Sequence, residues 1–322
     1  MIRQWLSVKV MAKRQEATDI FSFELAEPTG RSLPPFSAGA HIDVEIRDGL
    51  TRQYSLCNNP GEQHRYLIAV LKDPNTRGGS IGMHERIAVG DIINISEPKN
   101  HFPLASAAKK SLLFGGGIGV TPILCMAERL AQVAAEFEFH YCARSADRMA
   151  FADRIKQSSF ADKVSLHLDD GPESQKLDIN RVLATPKADV HLYVCGPTGF
   201  MNWVLGAAKQ QGWPESQVHR EYFAAVPQAA GLAADEFEVQ VASSGVTYLI
   251  PANNTITEVL RAAGVDIPTS CEQGVCGTCL THVLEGEPDH RDSYLTDDER
   301  ARNDQMMPCC SRAKSKKLVL DL

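Results

Sequence analysis

The chain runs to 322 residues with 43% hydrophobic content, a formal net charge of −7 and a pI near 5.8. That length exceeds one comfortable core and suits two or three domains, and the acidic balance argues against non-specific binding to nucleic acid. No run of about 20 apolar residues is present, so no membrane span is expected; "MIRQWLSVKVMAKRQ" has neither an h-region nor a cleavage site, so no secretory signal is read and a cytoplasmic protein is expected.

Residues 1–107 read as short strands joined by turns. In "HIDVEI" Ile42, Val44 and Ile46 share one face, and in "RYLIAV" Tyr66, Ile68 and Val70 do the same. "DGL", "NNPGE" and "DPNTRGG" supply the turn chemistry between such runs. Short strands without long helical stretches predict a small antiparallel barrel or sandwich.

The pattern changes at "SLLF", a short apolar strand followed by "GGGIG" and "TPILCMAERLAQV". Ile123, Ala127, Leu130 and Ala131 recur at helical spacing, with Thr121 as N-cap and Pro122 in the first turn. "FEFHY", "VSLHL" and "HLYVC" alternate with helical segments, which predicts a parallel α/β sheet over residues 108–226. In the turn after "SLLF" the backbone amides of Gly116, Gly117 and Gly119 face an anion at a helix N-terminus, and a dinucleotide pyrophosphate suits it. The spacing is not the Rossmann fingerprint, because Pro122 stands in place of the third glycine and "YCARS" ends the next strand without an acid. Tight packing is the alternative use of such a turn.

Residues 227–236 lie in an Ala-rich stretch, "VPQAAGLAADE", that reads as a linker. Strands resume at residue 237. Two capping boxes follow, Thr255 with Glu258 and Thr296 with Glu299, and Gly264 closes the first helix. Between them stands "CEQGVCGTC". Nine cysteines, an odd count without a secretory signal, argue against a disulfide framework, and Cys125, Cys142 and Cys195 read as buried core thiols. Cys271, Cys276 and Cys279 are spaced C-x4-C-x2-C, with Cys309 and Cys310 further on, which is the plant-type 2Fe–2S pattern. Gly274 and Gly277 let the loop wrap a cluster and bring amides to its sulfides. Zinc is the alternative, but only Cys276 and Cys279 form the short pair that zinc sites use twice.

"SCEQGVCGTC", "GEPDHRDSYLT" and "CCSRAKSKKLVLDL" resemble the C-terminal ferredoxin domain of the phthalate dioxygenase reductase family, the reductases of Rieske-type oxygenases, and the resemblance covers essentially the whole chain. It implies an FMN-binding β-barrel over 1–107, an NAD-binding α/β domain over 108–226 and a β-grasp ferredoxin domain over 237–322. "RQYSL" is similar to the flavin motif of the ferredoxin-NADP reductase superfamily: Arg52 at the flavin phosphate, Tyr54 on the ring, Ser55 near flavin N5, with Leu56 following. "RGGS", Arg77, Gly78, Gly79 and Ser80, is similar to its second flavin motif. Cys195, Gly196 and Pro197 resemble the segment beside the nicotinamide, and Phe223 of "HREYF" resembles the residue that lies over the flavin. Taken alone, Arg52 and Tyr54 also suit a strand pair, "RGGS" a hairpin turn, and Phe223 core burial.

The resemblance implies NADH, FMN and a 2Fe–2S cluster as cofactors, held at the metal by Cys271, Cys276, Cys279 and Cys309, with Cys310 an alternative fourth ligand. A flavin is needed because NADH gives electrons in pairs and the cluster takes them singly. Asp169 and Asp170 suit ribose hydroxyls, whereas Arg144 would suit a 2′-phosphate. Electrons would leave near Glu272 and Gln273 for a Rieske-type oxygenase. The same domains would also serve another acceptor, such as a diiron hydroxylase, although the order flavin, nucleotide, ferredoxin favours the Rieske partner. A zinc-stabilised nucleotide sensor is the non-enzymatic alternative.

Overall fold

The computed structural model describes residues 5–47, 50–74, 78–223 and 235–322. The chain divides into two compact units, Met1–Glu221 and Tyr222–Leu322. Asp48 and Gly49 of the first expected turn, Asn75 to Arg77 of the third, and residues 227–234 of the expected linker lie outside the described residues.

The first unit opens with strands β1 (Trp5–Ala17), β2 (Ile20–Ala26), β3 (Ala40–Arg47), β4 (Leu50–Ser55) and β5 (Tyr66–Leu71). Helix α1 (Gly79–Glu85) and strands β6 (Ile92–Ser96) and β7 (Lys99–Asn100) follow. The order β4-β3-β6-β1-β2-β5 is antiparallel throughout, with β7 on β3, and a bridge from Leu56 to Ile68 ties the end of β4 to β5. That bridge closes the sheet into a barrel and hides its edges. The alternating residues Ile42, Val44, Ile46, Tyr66, Ile68 and Val70 all fill its core.

The rest of this unit is a parallel sheet: β8 (Lys110–Gly116), β9 (Glu136–Ala143), β10 (Val164–Leu168), β11 (Val190–Cys195) and β12 (Val218–Glu221), in the order β10-β9-β8-β11-β12. Its helices are α2 (Val120–Gln132), α3 (Ala152–Lys156), α4 (Ile179–Leu183) and α5 (Thr198–Gln210). The order reverses between β8 and β11, so their carboxyl ends frame the crevice where α/β sheets take ligands. Helix α2 buries Ile123, Ala127 and Leu130 as its spacing predicts. The same cluster includes Ala38, Cys57 and Phe102 from the barrel side, so the two sheets of this unit share one core.

Two local expectations are corrected. Gly119, not Thr121, is the N-cap of α2, because a 3-10 turn over Gly117–Gly119 runs straight into the helix. Thr121 is buried inside the first turn, where its hydroxyl donates to the Ile118 carbonyl at 3.0 Å. Cys125 and Cys195 are fully buried, but Cys142 is half-buried, on the face of β9 away from the core.

The second unit holds β13 (Phe237–Val241), β14 (Thr247–Ile250), α6 (Ile256–Ala262), β15 (Thr281–Glu285), β16 (Pro288–Asp289), α7 (Asp297–Arg302), β17 (Gln305–Met306), β18 (Arg312–Ala313) and β19 (Lys317–Leu320). The main sheet runs β14-β13-β19-β15-β17, with β13 and β19 parallel and the other pairs antiparallel, a β-grasp arrangement. Both predicted capping boxes are formed. Gly264, at φ +80°, follows the last turn of α6 and gives its chain reversal. Ile256 and Leu260 of α6 pack with Val239, Leu318 and Leu320 of the sheet. Buried Arg312 locks the amino end of this unit to its carboxyl end: its guanidinium donates to the carbonyls of Asp235, Pro251 and Asn254 and lies 4.9 Å from the Phe237 ring.

Candidate functional site

In the first unit, β4 delivers Arg52, Tyr54 and Ser55 to one end of the barrel. The "RGGS" segment is a helix start rather than a hairpin turn. Gly78, at φ +89°, is the N-cap of α1, so the first-turn amides of Gly79 and Ser80 have no acceptor four residues back in the helix. A Cβ on Gly79 would lie 2.6 Å from Cγ of Arg52, so this glycine lets the arginine stem cross the helix start. A guanidinium stem beside a glycine-lined helix start suits a phosphate. The Ser80 hydroxyl accepts from the Asp73 amide at 3.1 Å, which ties the turn together. Burial pushes the Tyr54 phenol up. Leu56 points into the barrel core and its amide donates to the Ala40 carbonyl. Arg77 lies outside the described residues.

The nucleotide loop and the Cys-Gly-Pro segment meet at the β8/β11 crevice. Cys195 pairs with Gly115 across the two strands. A Cβ on Gly119 would collide with the Cys195 carbonyl, and Gly117 takes φ +52°, so both positions call for glycine. The Cys195 thiol is fully buried and pushed up by burial. Pro197 is exposed and caps α5. Asp169 and Asp170 are exposed just past β10, where their amides donate to the carbonyls of Ala143 and Arg144. They stand two strands from the loop, roughly 10 Å across the sheet.

One functional residue escaped the sequence reading. Glu221 ends β12 opposite Cys195, and its carboxylate oxygen accepts a 3.1 Å hydrogen bond from the Ser55 hydroxyl. Burial of the carboxyl raises it from 4.5 to about 8. The barrel's Ser55 and the sheet's Glu221 and Cys195 thus converge at the crevice. The signal was present in "HREYF", whose acid stands at a strand end, but only the parallel pairing of β11 with β12 sets it beside Cys195. Phe223 is 40% exposed at the start of the second unit, so it is not a core residue.

In the second unit, the loop from Cys271 to Cys279 has Glu272, Gly274 and Gly277 at positive φ. A Cβ on Gly274 would strike the Cys310 sulfur, and one on Gly277 would strike the Tyr294 ring. The Arg261 guanidinium holds the loop through Thr269 and Glu272, at 2.7 and 3.2 Å. The amides of Gln273 and Thr278 donate to the sulfurs of Cys271 and Cys276 at 3.3 and 3.5 Å. The thiols of Cys271 and Cys276 are in contact, as are those of Cys309 with Cys271 and with Cys279. Crowding of these acids pushes Cys276 and Cys309 up. Cys310 contacts Cys309, and its sulfur lies 3.7 Å from the Met307 carbonyl and 3.8 Å from the Ser311 hydroxyl.

This donor set fits a binuclear cluster. A 2Fe–2S centre asks for two thiolates at each iron, and the contacts of Cys271 with Cys276 and of Cys279 with Cys309 suit that demand. The amide-to-sulfur bonds are those that stabilise such a centre.

Residues 239–314 match the 2Fe-2S iron-sulfur cluster binding domain family. The chain is 55% identical over 319 residues to a vanillate O-demethylase oxidoreductase of Pseudomonas sp. (strain HR199 / DSM 7063), covering 98% of this chain and 100% of that protein. It is 43% identical to the phthalate dioxygenase reductase of Burkholderia cepacia, covering 99% and 98%. A solved structure of phthalate dioxygenase reductase, described as modular for electron transfer from pyridine nucleotides to 2Fe-2S, superposes with a TM-score of 0.76 at 43% identity, covering 99% and 98%. Among the described residues no helix is long and apolar enough to cross a membrane.

Proposed function

The chain belongs to the phthalate dioxygenase reductase family, and on that premise we propose that it carries electrons from NADH, by way of FMN and a 2Fe–2S cluster, to the oxygenase component of a Rieske-type system. The observation that carries this reading is the 3.1 Å bond from Ser55 to Glu221, which sets the flavin motif of the barrel at the carboxyl ends of the nucleotide sheet. When bound, FMN accepts electrons in pairs and releases them singly, which the cluster requires.

Each segment has a task in this reading. Arg52, with Arg77 and the amides of Gly78, Gly79 and Ser80, holds the flavin phosphate. Tyr54 packs on the ring. The Ser55 hydroxyl, oriented by Glu221, would face the flavin edge that takes the hydride, and Phe223 is the aromatic that the resemblance assigns to the flavin. Gly116, Gly117 and Gly119, shaped by Thr121, receive the pyrophosphate, while Cys195, Gly196 and Pro197 flank the nicotinamide. Asp169 and Asp170 are exposed where the adenylate ribose would lie, and two carboxylates there repel a 2′-phosphate, which favours NADH. Cys271, Cys276, Cys279 and Cys309 ligate the cluster. Cys309 is preferred to Cys310 because it touches both Cys271 and Cys279.

The 55% identity to a vanillate O-demethylase oxidoreductase supports a vanillate-type oxygenase as partner, meeting the reductase around Glu272 and Gln273. NADH and nine cysteines without a disulfide suit the cytoplasm. Anaerobic NADH titration of the purified protein tests the reading. Bleaching of the flavin band and then a rhombic EPR signal are expected, together with turnover when a vanillate oxygenase component is added. A colourless, zinc-containing preparation would refute it.

A further inference from the structure

Phe200 stands in the first turn of α5, where a side chain leans back over the strand that feeds the helix. Its ring lies across the carboxyl ends of two strands at once. A Cβ on Gly116 would lie 2.6 Å from the ring, and one on Gly196 would lie 2.7 Å from it. Both glycines therefore clear room for this aromatic face. The ring remains partly exposed, and Trp203, 43% exposed one turn later, leans on its outer side with ring centroids 6.2 Å apart. Two adjacent aromatics open to solvent at a sheet's switch point are unusual for simple packing, because the crevice there is the place where ligands lie.

The ring covers the place where the two ends of the dinucleotide path meet, lying against Gly116 of the phosphate loop and Gly196 beside Cys195. Gly117 and Gly119 at the start of α2 suit the phosphates, and Gly119 lies directly against the Cys195 carbonyl. Cys195, paired with Glu221 and so with Ser55, marks the end where hydride leaves. The stretch of dinucleotide joining those ends is the nicotinamide ribose. We propose that Phe200 is a binding residue for this half of NADH, an aromatic wall that holds the nicotinamide ribose between the phosphate loop and the flavin. The assignment rests on the nucleotide reading given above.

The test is anaerobic stopped-flow reduction of the flavin in the full-length holoenzyme. Phe200→Ala and Phe200→Leu are expected to raise the NADH concentration for half-saturation roughly tenfold, the scale of a lost aromatic contact, with the limiting rate within about twofold. Phe200→Tyr restores the wild-type value. Competitive inhibition by 5′-AMP, which carries only the adenylate half, stays unchanged in all three variants. Equal half-saturation in the wild type and the Leu variant overturns the assignment, because shape without aromaticity then suffices. A parallel loss of 5′-AMP affinity also overturns it, because the ring would then be supporting the fold of the whole loop. If NADH fails to bleach the wild-type flavin, the nucleotide reading itself falls, and that result is separable from the other two.

Discussion

Glu221→Gln removes a titrating group while keeping an oxygen to accept from Ser55. The native carboxyl titrates at about 8 instead of 4.5, because burial disfavours its charged form. Between those two values the native state holds a proton that the unfolded chain has released. The carboxyl therefore favours the fold fully below pH 4.5, and its contribution is lost as pH rises towards 8. Linkage over pH 5 to pH 8 gives a loss of about 3 kcal/mol in the wild type that the glutamine variant does not share. In urea denaturation of the holoenzyme, the variant should gain about 3 kcal/mol on the wild type across that range, or roughly 6–12 °C in thermal midpoint for a unit of this size. The slope in urea should stay the same, since little surface changes. Stability curves that run parallel from pH 5 to pH 8 would show that Glu221 ionises freely, and the argument for a buried carboxyl beside Ser55 would fail.

Three further outcomes follow from close contacts. Cys309→Ser should lose most of the iron and the EPR signal, whereas Cys310→Ser should keep both; iron analysis decides, and retention by the Cys309 variant would hand the fourth position to Cys310. Arg312→Ala strips three carbonyls of their donor and Phe237 of its cation, so the ferredoxin unit should lose about 2–4 kcal/mol, read from the thermal bleaching of the cluster. Gly119→Ala drives a methyl group into the Cys195 carbonyl and should weaken NADH binding at least tenfold while the iron content of the second unit is kept; unchanged half-saturation would show that the loop yields freely.

The features legible in the sequence were those decided within a few residues. The capping boxes at Thr255 and Thr296 formed because side chain and amide lie three residues apart on one turn. The alternating runs around Ile42 and Ile68 became barrel strands because pleating sends every second residue to one face. The cysteine spacing declared a cluster loop because thiolates at those intervals, with glycines between, suit two irons. Thr121 failed as a cap because its preference competes with a glycine turn that the chain winds tighter than propensity alone implies.

What pairing over long distances decided stayed hidden. Nothing near Glu221 in the chain reveals Ser55, because the two are 166 residues apart and meet only when the β12 end is laid beside β11 and the barrel is packed on the sheet. The glycines at 116 and 196 look like phosphate-loop residues in the sequence, and only the fold shows that they also make room for Phe200. Cys309 and Cys310 are equivalent as letters; the turn that carries them turns one sulfur to Cys271 and Cys279 and the other to the Met307 carbonyl. Local sequence thus specified the chemistry of each segment, while sheet order and register decided which segments act on one another, because those contacts have no local hydrogen-bond signature to read.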